Sequence, residues 1–179
     1  MAVSAADHFK YPTGREGATT LGYDPSAVQA APVDLLASFC GVGNPFSLGE
    51  IRPGDRVLDV GCGAGFDLFV AGRLVGDSGR VTGVDLTAEM ATRARENLQR
   101  AGLTNCTVVQ IHSEELPFPD HSFDVVISNG VINLSPCKQA CFSEIHRVLR
   151  PGGRLLFADV VLEGELPAQV ADSPQAWSQ

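Results

Sequence analysis

Three stretches concentrate the residue types that do chemistry. In "RVLDVGCGAGFD", residues 56–67, an apolar run ends on Asp59 and is followed by Gly61, Gly63 and Gly65 before a helical pattern begins. A plain strand-to-helix turn needs one glycine; three at alternate positions let the backbone approach a ligand closely and adopt positive φ. A carboxylate two residues before the first glycine would repel a pyrophosphate, but it suits the ammonium of an amino acid, directly or through water. The third glycine of the dinucleotide fingerprint G-x-G-x-x-G would also fall at Phe66. The loop therefore favours an adenosyl amino acid over a dinucleotide, with Cys62 inside the cradle. Downstream, "VTGVDL" ends a second apolar run on Asp85, a little over twenty residues on, where a carboxylate accepts ribose hydroxyls. Leu86 and Met90 then pack on the adenine, and Ser113 and Glu114 contact its edge. The third stretch, "ISNGVINLSPCK" at residues 127–138, places the backbone groups around Ser128 and Asn129 at the methionine end of such a ligand.

These residues need elements to position them. From residue 55 onward short apolar runs alternate with amphipathic helical segments, the pattern of βαβ units and a parallel sheet. Strands are expected near 56–60, 80–84, 106–111, 123–128 and 154–161, and helices near 65–75, 87–101 and 136–149. Thr87 should cap the second helix, with Met90 inside and Arg93, Arg95 and Arg100 outside; Pro151-Gly152-Gly153 should stop the third and turn the chain into the last strand. The first fifty residues read as a loop, a short helix broken at Pro32 and a Gly/Pro-rich connector. They form a lid or cap over the carboxyl ends of the strands, where open α/β sheets bind ligands. The expected organisation is a cap at 1–50 and a ligand-binding domain at 51–179.

Composition narrows the function classes. A chain of 179 residues, 44% hydrophobic, suits one compact domain. A net charge of -8 without a run of Lys or Arg excludes a nucleic-acid footprint, and no stretch reads as a membrane span or signal peptide. The expected partner is a small molecule and the expected compartment the cytoplasm. Cys40, Cys62, Cys106, Cys137 and Cys141 lack zinc-type spacing, so they read as reduced thiols and no metal site is expected. Of the four histidines, only His8 in the cap is placed to reach a reaction centre.

Taken in order, "LDVGCGAGFD", "VTGVDLT", "EELPFPDHSFDVVIS" and "RVLRPGGRLLFADV" resemble the class I S-adenosylmethionine-dependent methyltransferases over residues 55–161. The resemblance implies an α/β, Rossmann-like fold, a mostly parallel sheet with helices on both faces, and S-adenosylmethionine as cofactor. "LGYDP", "FCGVGNPFSL" and "SNGVINLSPCKQACFSEIHRVLRPGG" narrow it to a likeness with the arsenite methyltransferases and their relatives. That likeness implies a small acceptor such as thiol-bound As(III), held by soft thiolates that leave its lone pair facing the methyl.

The chain departs from that family where it matters. Family members with arsenic chemistry carry cysteines at the positions of Val42 and Gly130, and a third would fall just past Gln179. Cys40 is then the candidate displaced ligand, and Asn129 the second candidate at the reaction centre. Cys137 and Cys141, at i and i+4, form either a thiol pair or two incidental small residues on a helix face. Class I members continue with two further strands that this chain is expected to lack. The fifth strand would then expose an apolar edge, which predicts a homodimer through that edge or the C-terminal tail. Alternatives to the arsenic reading are a small-molecule methyltransferase of other chemistry, and a catalytically silent cofactor-binding or dimerising module.

Overall fold

In the computed structural model the chain is described over residues 11–161. Five parallel strands, β1 (Arg56–Val60), β2 (Arg80–Asp85), β3 (Cys106–Gln110), β4 (Phe123–Asn129) and β5 (Leu149–Ala158), stand in the order β3-β2-β1-β4-β5. The order reverses between β1 and β4, the switch point at which such sheets bind ligands. The helices α4 (Phe66–Val75), α5 (Ala88–Arg100) and α6 (Lys138–Val148) connect the strands.

Strand alternation divides the core in two. Val57, Val81, Val125 and Ile127 face one way, onto α4, α5 and the N-terminal segment; Leu58, Val60, Val84 and Val126 face the other, onto Cys141, Ile145 and Val148 of α6. By the same alternation Asp59, Asp85 and Asn129 point to the first face and Ser128 to the second.

The N-terminal segment is more ordered than its sequence suggests. α1 (Gly14–Thr20) begins inside the stretch expected as loop, and α2 (Pro25–Ala30) and α3 (Val33–Ala37) flank the break at Pro32. Asp24 caps α2 by accepting from the N–H groups of Ser26 and Ala27. Tyr23, Val28, Leu35, Leu36 and Phe39 are buried in the first-face core, so this cap is an extension of the sheet's packing.

Three local expectations need correction. Thr87 stands at the N-cap of α5, but its side chain makes no capping bond; its N–H donates to Asp85 Oδ1 at 2.8 Å instead. β5 starts at Leu149, five residues early, because a bulge absorbs the Pro-Gly-Gly. Leu149 pairs with Phe123 and Arg154 with Val125, and a proline in a bulge forfeits no ladder bond. Cys137 is exposed and precedes α6 while Cys141 is buried against the second-face core, so the two thiols do not form a free pair. His8 and the C-terminal tail lie outside the described residues.

Candidate functional site

The glycine loop after β1 is wrapped over the end of β2. Gly61 and Cys62 both donate backbone N–H groups to Val84 O at 2.9 Å, and Gly63 donates to Asp85 Oδ2 at 2.8 Å. Asp85 is therefore a brace for the cradle and the α5 start as well as a candidate ribose acceptor. Gly61 has φ 75°, and a Cβ there would run into the Val131 side chain from the loop after β4. Asn97 of α5 donates to Ala64 O at 3.0 Å and fixes the far side of the loop.

A cavity of about 330 Å³ opens between this loop, α5 and the cap. It brings together Cys40, Asp59, Gly61, Cys62, Gly63, Gly65, Met90 and Asn129 from the sequence candidates. It also brings in Asp67 of α4. Five candidates stand outside the cavity lining, Asp85 among them, beneath the cradle that it braces. Ser128 is buried on the opposite face and donates Oγ–H to Val60 O at 2.9 Å, so its hydroxyl is not offered to the cavity. Leu86 projects into solvent. Ser113 Oγ accepts from Glu115 N, and Glu114 Oε1 accepts from Ser135 Oγ at 2.8 Å, tying that loop toward α6.

Asn129 is the hub of the site. Its Oδ1 accepts from Val42 N at 2.9 Å and Gly43 N at 3.1 Å; its Nδ2 lies within hydrogen-bond distance of Tyr23 Oη, Gly43 O and Asp67 Oδ2. Tyr23 Oη–H in turn donates to Asp67 Oδ1 at 2.7 Å. With every polar atom engaged, Asn129 organises the cap around the cavity instead of presenting a free reactive group. Tyr23 and Asp67 carried no sequence signal beyond an acid in the first turn of α4, since their partnership spans 44 residues.

The electrostatics are acidic. Asp59 is 2% exposed, and its Oδ2 has no hydrogen-bond partner. Burial foremost, then the charges of Asp67 and Asp85, hold its carboxyl well above the usual carboxylate range. Burial pushes Asp67 up to about 6 against the opposing hydrogen bonds from Tyr23 and Asn129. The thiol of Cys40 is raised, first by its desolvating surroundings and then by Asp67, so at neutral pH it is protonated. Burial likewise raises the thiol of Cys62.

Residues 51–179 match the family model described as a methyltransferase domain. The chain belongs to the methyltransferase domain family. Among its relatives, an arsenite methyltransferase of Halobacterium salinarum is 43% identical over 92% of this chain and 42% of its own length. That of Aquipseudomonas alcaligenes is 42% identical over 71% of this chain and 38% of its own. The crystal structure of CrArsM, an arsenic(III) S-adenosylmethionine methyltransferase from Chlamydomonas reinhardtii, superposes with a TM-score of 0.75 at 42% identity, covering 85% of this chain and 55% of that one. This methyltransferase domain thus spans about two fifths of the length of the two curated relatives.

Proposed function

We propose that the chain binds S-adenosylmethionine in the cavity above β1 and takes part in methyl transfer to a small acceptor of the arsenite methyltransferase type, thiol-bound As(III). The observation that carries the cofactor reading is the buried, unpartnered Asp59 Oδ2 beside the glycine cradle: a stranded buried acceptor asks for a donor, and an α-ammonium supplies one. S-adenosylmethionine when bound supplies an electrophilic methyl on a sulfonium. The chain's own part is to hold and orient: Gly61 and Gly63 admit the ligand backbone-close, Asp85 accepts from the ribose, and the cap keeps water from the transfer end. Catalysis of this kind is largely proximity and in-line alignment.

The acceptor reading rests on the similarity to the arsenite enzymes and on the closeness of Val42 to Gly130, the positions where that family has thiols. With those thiols replaced, Cys40 at the cavity wall is the available soft ligand. The same replacement favours a second reading, a methyltransferase domain acting on an organic acceptor. Incubation with methyl-labelled S-adenosylmethionine, arsenite and a thiol tests both. Methylated arsenic that disappears in Cys40→Ser supports the first; label in an organic acceptor alone supports the second. Binding without any transfer points to a silent module.

Five free cysteines suit a reducing cytoplasm, where we place the protein; among the described residues no helix is long and apolar enough to cross a membrane. Self-association is part of the proposal: among the described residues β5 is an edge of the sheet, with Phe157, Val160 and Val161 exposed on and beyond it, a surface that a second copy would cover. A monomeric mass in sedimentation at micromolar concentration contradicts that part.

A further inference from the structure

Two buried carboxylates, Asp59 and Asp67, line one cavity, and no ion pair among the described residues neutralises either. Asp59 has its ligand in the proposed reading, the ammonium. Asp67 does not. Its two oxygens are fixed by Tyr23 Oη–H at 2.7 Å and by Asn129 Nδ2 at 3.1 Å, so the carboxylate is held at one orientation on the β4 side of the cavity. A nucleoside on the β2 side, at Asp85, sends the rest of the ligand toward β4 across the switch point. In that reading, with the ammonium at Asp59, the group beside the Asp67–Asn129 pair is the sulfur and its methyl.

We propose that Asp67 is the charge-selecting residue of the site: its carboxylate, positioned by Tyr23 and Asn129, attracts the sulfonium of the methyl donor and has no such attraction for the uncharged thioether product. The inference rests on the S-adenosylmethionine reading above. The donor and S-adenosylhomocysteine share adenosine, ammonium and carboxylate and differ by one methyl and one positive charge at sulfur. Loss of that charge on transfer removes the Coulomb term, so the product leaves a site that retained the donor. Inside a poorly solvated cavity one such charge pair changes affinity by about tenfold or more.

The test is calorimetric binding of S-adenosylmethionine and S-adenosylhomocysteine to the wild-type chain and to Asp67→Asn at pH 8. The expected result is a donor preference in the wild type that falls about tenfold in Asp67→Asn, with product affinity kept within about threefold. Tyr23→Phe, which loosens the positioning of Asp67 but leaves its charge, should lower that preference less than Asp67→Asn does. An unchanged preference in Asp67→Asn overturns the assignment, and so does an equal loss of affinity for both ligands, which marks a merely structural role. If Asp67→Asn does not fold, the wild type itself decides. Asp67 faces Tyr23 and Asn129 by hydrogen bond and Asp59 and Cys40 by charge, with Arg93 also on the cavity wall. Protonating this group removes the attraction, so the donor preference should fall as pH drops through about 6; a flat ratio from about pH 8 to about pH 5 contradicts the proposal. Failure of the wild type to bind either ligand is a different result, since it removes the donor reading itself and this inference with it.

Discussion

Gly130 and Val42 face each other across the junction of the cap and the loop after β4: a Cβ built on Gly130 would lie 3.3 Å from both Val42 methyl carbons. The two positions at which the likeness to the arsenite enzymes implies thiols are neighbours in space here, although 88 positions apart in sequence. Restoring both, as Val42→Cys with Gly130→Cys, should create a dithiol that captures a trivalent arsenical in equal stoichiometry. Each single variant should bind far less, as followed by protection of thiols from alkylation. Gly130 has φ 72°, so Gly130→Cys alone should cost about 1 to 2 kcal/mol of stability. Equal capture by the wild type would show that the native thiols suffice.

Asn129 joins Val42, Gly43, Tyr23 and Asp67, so its removal strands buried donors and acceptors in the cap and in α4. Asn129→Ala should lower unfolding stability by about 2 to 3 kcal/mol and open residues 39–48 to limited proteolysis before the sheet is cut. A cap that stays resistant would mean that the apolar packing of Leu35, Leu36 and Phe39 holds it unaided.

How much of this was legible in the sequence depends on how local each signal is. Asp59 and the three glycines all fall within residues 59–65, so the cradle could be read directly, although Gly61 N and Gly63 N find their acceptors on Val84 and Asp85. The Tyr23–Asp67–Asn129 network could not, because a buried hydrogen bond between distant residues leaves no periodic pattern. Asp67 looked like an ordinary acid favouring a helix N-terminus. Strand alternation turns the Ser128 side chain to the face opposite Asn129, which leaves the role expected at Ser128 to its backbone groups. The early start of β5 was hidden because a proline and two glycines read as a stop, whereas a bulge lets the strand pass through them.

Acid sensitivity should have a specific source. Glu144 accepts from Arg147 Nε at 2.8 Å, Arg147 Nη2 at 2.7 Å and Leu116 N at 2.9 Å, and Arg147 also donates to Leu116 O and Phe118 O. The hydrogen bonds from Arg147 foremost hold the Glu144 carboxyl down at about 2. A depressed carboxylate contributes stability that is complete above its unfolded value near 4.5 and is lost as pH falls toward 2. Denaturant midpoints of the wild type should therefore drop across that window, while Glu144→Gln starts lower at neutral pH and drops less. Parallel curves contradict the assignment.

Asp85 braces the glycine cradle and the start of α5 and, in the proposed reading, also accepts from the ribose, so its removal should reveal both. Asp85→Ala leaves Gly63 N and Thr87 N without their acceptor, so it should lower the melting temperature as well as weaken cofactor binding by about 1 to 3 kcal/mol. A weakened fold with unchanged affinity would leave Asp85 as a brace only.

The cavity beside Asp59 is the proposed seat of the amino-acid end of S-adenosylmethionine. The most direct test of that placement is a calorimetric titration of the wild-type chain and of Asp59→Ala with S-adenosylmethionine at neutral pH. One saturable site per chain is expected in the wild type, weakened about tenfold or more in Asp59→Ala by loss of the charge-assisted contact. Absence of saturable binding in the wild type, or equal affinity in a folded Asp59→Ala, would contradict the account.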